Sequence, residues 1–121
     1  IFNAAFQDDL PMFNGDDRFA VDITKKYFEI NEILSKELMQ VGTITLSNRL
    51  SWEIITDNQL RIILGKDNGL KKLSLFINHY QDVLFKVKKR IDYVDLRYKD
   101  GFSVKVINES LRKFKKEKII L

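Results

Sequence analysis

The chain has 121 residues, of which 45% are hydrophobic and 12% aromatic; that suits one compact domain with a modest core and is too little for two independent ones. There is no cysteine, which excludes disulfides and thiolate metal sites, and no apolar run approaches the ~20 residues that cross a bilayer. The net charge of +4 is a property of the C-terminal end: Arg112 to Leu121 hold five of the 21 basic residues and one of the 17 acidic ones, leaving 16 of each elsewhere, which argues against a broad phosphate-tracking face on the body.

No basic stretch followed by an apolar one opens the chain, and it begins at Ile1 rather than Met. It reads as a piece of a longer protein, with any targeting or membrane segment upstream. Between Arg18 and Val41, apolar residues at Phe19, Ile23, Tyr27, Ile30, Leu34, Leu38 and Val41 keep the three-and-four spacing of one helix face, and Gly42 is expected to end that helix. From Thr43 the period becomes two: Ile44, Leu46, Leu50, Trp52 and Ile54 predict two strands with Ser47-Asn48 as a possible turn. Asp57-Asn58 marks another turn before a third strand through Leu60, Ile62 and Leu64. Asp67 and Asn68 are capping candidates for a second helix with Leu70, Leu73, Ile77, Tyr80, Leu84 and Val87 on one side. Lys86, Lys88, Lys89 and Arg90 at its end suit the negative pole of a helix dipole.

The last clear element is a hairpin from Val94 to Val106. A two-residue Asp100-Gly101 loop would mix charges into an apolar face. A three-residue loop, Lys99-Asp100-Gly101, pairs Tyr98 with Phe102, Leu96 with Val104 and Val94 with Val106, leaving one face apolar. The other face then carries Arg97 beside Ser103 and Asp95 opposite Lys105. The strand from Phe102 to Val106 has one lysine and no proline, so it lacks the usual devices that blunt a sheet edge. It is either that edge, open to a partner's strand, or an internal strand covered by the tail Lys118 to Leu121. Asn108-Glu109-Ser110 is a possible start for a short helix with Leu111 and Phe114. The expected fold is α+β, a mainly antiparallel sheet with two amphipathic helices packed on it and a C-terminal edge hairpin. Residues 1–107 form the domain and 108–121 a basic tail.

Residues for chemistry are thin. His79, the one histidine, lies between core positions Ile77 and Tyr80 and reads as a boundary residue; no paired-histidine metal spacing, nucleophile elbow or phosphate loop occurs. Asp8-Asp9 and Asp16-Asp17 flank Leu10-Pro11, where acid doublets either hold a hard cation or are solvated turn residues, the commoner case. Trp52 in an alternating strand is more often core than ligand platform. The basic tail is compatible with binding to nucleic acid or an anionic membrane surface, which stands as the alternative function. A hydrolase reading lacks a residue set.

The segment Val94-Asp95-Leu96-Arg97-Tyr98-Lys99-Asp100-Gly101-Phe102-Ser103-Val104 resembles the signature of the FtsQ/DivIB bacterial cell-division proteins, a VDLRY followed by a turn glycine and an apolar strand. Leu10-Pro11-Met12-Phe13-Asn14-Gly15 is similar to that family's turn before its first helix, Arg49-Leu50-Ser51-Trp52 and Leu64-Gly65-Lys66 to its arginine-tryptophan strand and closing turn, and Leu73, Phe76 and Tyr80 to its second helix. Asp16 replaces a common proline, and Val106 stands where many members have tryptophan. The resemblance implies the periplasmic β-domain of a single-pass inner-membrane protein at the division septum, whose cytoplasmic, transmembrane and POTRA parts precede it. It implies no enzyme activity, no cofactor, no metal, no small-molecule substrate and no nucleic acid. The implied partners are FtsB and FtsL, bound by strand addition to the last strand. The implied partner-binding residues are Arg97, Tyr98, Phe102, Ser103, Val104, Lys105 and Val106, with Arg97 pairing a partner carboxylate.

Overall fold

The structure, a computed structural model, describes residues 10–66, 69–87, 90–98, 101–108 and 113–119. Asp16 accepts the Arg18 amide at 2.9 Å and so caps a 3-10 turn, Asp17–Phe19, that leads into helix α1, Ala20–Leu34. That gives Asp16 an ordinary helix-entry role. Ile23, Ile30 and Leu34 of α1 are buried, as the spacing requires.

The helix stops earlier than the sequence suggests, and Gly42 is not what stops it. Leu38 adopts the left-handed conformation (φ 58°); its amide bonds to the Ser35 carbonyl, and the Met39 amide reaches back to Leu34 at 3.1 Å. This is a Schellman closure with leucine where glycine is usual. Met39 is tucked into the core beside Leu34, while Leu38 is 93% exposed. An L side chain held left-handed costs ~1 kcal/mol and here nothing is packed in return. Leu38→Gly is therefore expected to raise stability by about 0.5–1 kcal/mol, read from a urea melt; a loss would mean that Leu38 packs in a way its exposure hides.

Gly42 instead lies in strand β2, Val41–Leu46, where the register against the next strand shifts between Val41 and Thr43. A Cβ at Gly42 would lie 3.2 Å from the Ile55 carbonyl, so the bulge brings two backbones close. A loop through Leu50 (φ 62°) leads to β3, Trp52–Thr56, and the Asp57-Asn58 turn, with Gln59 at φ 70°, leads to β4, Arg61–Gly65. Asp67 and Asn68, the expected caps of the second helix, lie outside the described residues, as do Asp8 and Asp9.

The second helix is two helices, α2 (Gly69–Asn78) and α3 (Tyr80–Val87), parted at His79. There the His79 amide bonds to Phe76 and the ring Nδ1 donates to the Leu75 carbonyl at 3.0 Å, tightening one turn. The offset buries Val83 and Val87 and leaves the expected core residue Leu84 exposed.

Strand β5, Arg90–Asp95, and β6, Phe102–Asn108, complete the hairpin, and β7, Lys113–Ile119, follows. With β1, Met12–Asn14, these form one seven-stranded sheet in the order β1 to β7. The α+β class holds, but the sheet is mixed, because β1 pairs parallel with β2 and β4 parallel with β5. The β4 to β5 connection carries α2 and α3, the kind of crossover that a parallel pair needs. Alternate residues Ile44, Ile54, Ile62, Val94, Val104 and Val106 are buried on one sheet face, in one core cluster with Ile30, Leu34, Leu73 and Phe76 of the helices.

The hairpin register differs from the expected one by two residues. Val94 pairs with Val104, Asp95 with Ser103 and Tyr93 with Lys105. The cause is that β5 ends at Asp95: the Leu96 amide turns to the Ile63 carbonyl of β4, 2.9 Å away, so the connection is longer than three residues. A shift of two keeps every side chain on its expected face. Lys105 faces Tyr93, with its Nζ 5.4 Å from the ring centroid, instead of Asp95.

Two expectations about the C-terminal end are corrected. β6 is not the sheet edge, since β7 pairs along its whole length from Phe102↔Ile119 to Asn108↔Lys113. Residues 113–119 are a strand, and no helix continues through Lys113 and Phe114.

Candidate partner-binding site

The connection after β5 builds the most constrained part of the surface. The Asp95 carboxylate is buried and takes three hydrogen bonds from Arg97: the amide at 3.0 Å, Nε at 2.9 Å and Nη2 at 2.8 Å. The paired guanidinium's pKa is raised, first by that hydrogen bond and then by the carboxylate's charge. Arg97 thus has a partner within its own chain, yet 57% of its side chain remains exposed. Lys72 of α2 donates to the Tyr98 carbonyl, tying the end of this segment to the helix layer.

Gly65, at the end of β4, explains the fit from below. Its φ is +82°, and a Cβ there would sit 2.8 Å from Arg97 Cγ. The Arg97 stem needs the bare glycine. Gly65→Ala is expected to cost about 1–2 kcal/mol of stability through backbone strain and to dislodge the Arg97 fork; an unchanged melt with unchanged Arg97 side-chain resonances would contradict this.

Around this pair lies an open cleft of about 410 Å³, lined by Ser47, Arg49, Ser51, Leu64, Gly65, Lys66 and Arg97. It stands at the C-terminal ends of β2, β4 and β5. A second groove of about 670 Å³ shares Arg49 and Lys66 with it and adds Lys25, Lys26 and Trp52, with Asp22 and Glu29 tempering the charge. Trp52 is half-buried against the core and carries Lys26 Nζ 5.2 Å from its ring centroid. It is both core and groove wall.

The seven residues that the sequence singled out divide sharply. Arg97, Tyr98 and Lys105 have exposed or half-exposed side chains. Phe102, Ser103, Val104 and Val106 are at most 2% exposed. Phe102 packs edge-on to Phe76 of α2, with ring centroids 5.1 Å apart. These four have only backbone to offer a partner, and β7 already takes that side of β6. The Ser103 hydroxyl is buried with no hydrogen-bond partner among the described residues. The sequence reading missed Arg49 and Lys66 as site residues. Their motifs were visible, but it takes the sheet order to bring them beside Arg97. Among the described residues no cluster suits a metal ion and no helix is long and apolar enough to cross a membrane.

Fold and cleft together define a helix-backed, mixed-sheet α+β domain with a basic cleft where its central strands end. Comparison with known proteins then gives the family. Residues 1–97 match the model of "Cell division protein FtsQ/DivIB, C-terminal". The chain is 35% identical over 102 residues to the cell division protein FtsQ of Neisseria meningitidis, covering 84% of this chain and 43% of that protein. It is 31% identical over 98 residues to the FtsQ of Escherichia coli, covering 78% and 36%. This chain belongs to the FtsQ/DivIB family of cell-division proteins. It spans less than half the length of these relatives, and the family match stops at Arg97, short of β6 and β7.

Proposed function

We propose that this domain is a non-catalytic scaffold of the division machinery, the periplasmic part of a single-pass inner-membrane protein, and that it binds the FtsB and FtsL subcomplex by strand addition at the C-terminal side of its sheet. The observation that carries this reading is the contrast between the two sheet edges. The β1 edge has three residues and the C-terminal edge seven, while the exposed Arg97 fork and Tyr98 follow β5, two strands in from that edge. Main-chain pairing along such an edge supplies affinity, and side chains beside it supply specificity. Arg97, Tyr98 and Lys105 act through their side chains; Phe102, Ser103, Val104 and Val106 act by holding the strand. An acidic residue of the partner entering the cleft would share Arg97 with Asp95 and meet Arg49 and Lys66.

Titration with the periplasmic segments of cognate FtsB and FtsL, at low and at physiological salt, tests this. Binding that changes little with salt fits strand pairing. Binding that falls by orders of magnitude over this range, or is equalled by an oligonucleotide or an anionic vesicle, would put the basic residues alone in charge and contradict it.

A further inference from the structure

β6 has two neighbours of unequal quality. On one side β5 sets Val94 opposite Val104 and Ile91 opposite Val106. On the other side the register sets Glu117 of β7 opposite Val104 and Lys115 opposite Val106. Directly opposed positions of an antiparallel pair lie on the same face of the sheet. Here it is the face on which Val104 and Val106 are fully buried. Two charged residues are therefore paired in register with two fully buried valines. Apolar residues are paired with apolar ones at Phe102↔Ile119 and Ile107↔Phe114.

We infer that β7 is an exchangeable strand. It covers the edge of β6 in the unbound domain, where an open edge would recruit wrong chains. It leaves when an extended partner segment, apolar at the two positions opposite Val104 and Val106, takes its place. This rests on the strand-addition reading and gives that reading a location, β6 rather than the outer side of β7. It also supplies a partner rule, alternation of apolar residues at i and i+2. The apparent affinity is then the intrinsic one reduced by the fraction of molecules whose β7 is detached.

Amide hydrogen exchange of the 121-residue chain, with and without the periplasmic segments of cognate FtsB and FtsL, separates the possibilities. On binding, amides of β6 are expected to stay protected while those of residues 113–119 become faster. Two variants read the same exchange as affinity. A chain ending at Asn108 should bind at least about threefold tighter, and Lys115→Val with Glu117→Val, which gives β7 the apolar pattern, at least about threefold weaker. Should the shortened chain fail to fold, the double variant decides: weaker binding supports exchange and unchanged binding overturns it. If residues 113–119 become slower on binding and neither variant shifts the affinity, the partner adds outside β7, and exchange is wrong while strand addition stands. No binding by any folded form overturns both.

Discussion

Phe102→Ala is expected to remove about 3–5 kcal/mol of folding stability, the cost of deleting a buried aromatic side chain from a filled core. Phe102 is 2% exposed, and its ring meets Phe76 edge-on at 5.1 Å, tying β6 to α2. The edge-to-face pair adds about 0.5–1.5 kcal/mol beyond burial, so Phe76→Ala should show a coupled loss, and the double variant should lose less than the two single losses together. For a domain of this size the loss is a large share of the total stability. Urea melts of the three variants measure it. A loss below about 1 kcal/mol for Phe102→Ala would mean that the ring is not where the core needs it. The buried ring holds β6 in place, so partner binding by this variant is to be compared only on its folded fraction.

The second large effect is on binding. Tyr98→Ala and Arg97→Ala should each weaken capture of FtsB and FtsL by about 1–3 kcal/mol, roughly 5- to 150-fold, the range of interface anchors that are aromatic or arginine. Tyr98 is half-exposed with its carbonyl held by Lys72, so truncation to Cβ leaves that backbone anchor in place. Arg97 differs. Its truncation takes the two guanidinium hydrogen bonds from the buried Asp95 carboxylate and leaves only the amide one, so Arg97→Ala should also lower stability. Arg97→Lys restores the charge but not the fork; it should recover part of the stability and little of the binding. Lys105→Ala, at a half-exposed position over Tyr93, should change binding by only a few tenths of a kcal/mol. Equal affinities for the wild-type chain and folded Tyr98→Ala and Arg97→Ala chains would remove the loop after β5 from the site.

How much of this was legible in the sequence depends on which physical signal was in play. Side-chain alternation put Val94, Leu96, Phe102, Val104 and Val106 on one buried face, and all five are buried there. Alternation says nothing about a shift of two residues, and the hairpin slipped by that amount because the Leu96 amide found a partner on β4. The helix end was misread because glycine is the usual left-handed closure; here leucine takes that conformation, and Gly42 is needed where β2 approaches the Ile55 carbonyl. β7 was hidden by its own composition, since Lys113, Lys115, Lys116 and Lys118 crowd one short run and no apolar alternation survives.

The site shows the same division. Arg97 and Tyr98 stood out because their motif is contiguous. The meeting of Arg49, Gly65 and Arg97 is a consequence of strand order: β3, β4 and β5 are neighbours, so three motifs far apart in sequence end at one cleft. Gly65 was legible as a turn glycine, but its second duty, clearing space for the Arg97 stem, is visible only in three dimensions.

Site-directed cross-linking in dividing cells tests most directly that the C-terminal side of the sheet is where the partner binds. These 121 residues contain no cysteine, so within this domain a single introduced thiol is the one that reports. Paired with cysteines along the periplasmic segment of FtsB, Tyr98→Cys and Lys105→Cys are expected to cross-link, with partner positions alternating along the strand. Asn14→Cys on the β1 edge and Phe28→Cys on the outer side of α1 are expected to remain uncoupled. Cross-links from Asn14→Cys or Phe28→Cys, with none from Tyr98→Cys or Lys105→Cys, would contradict the account.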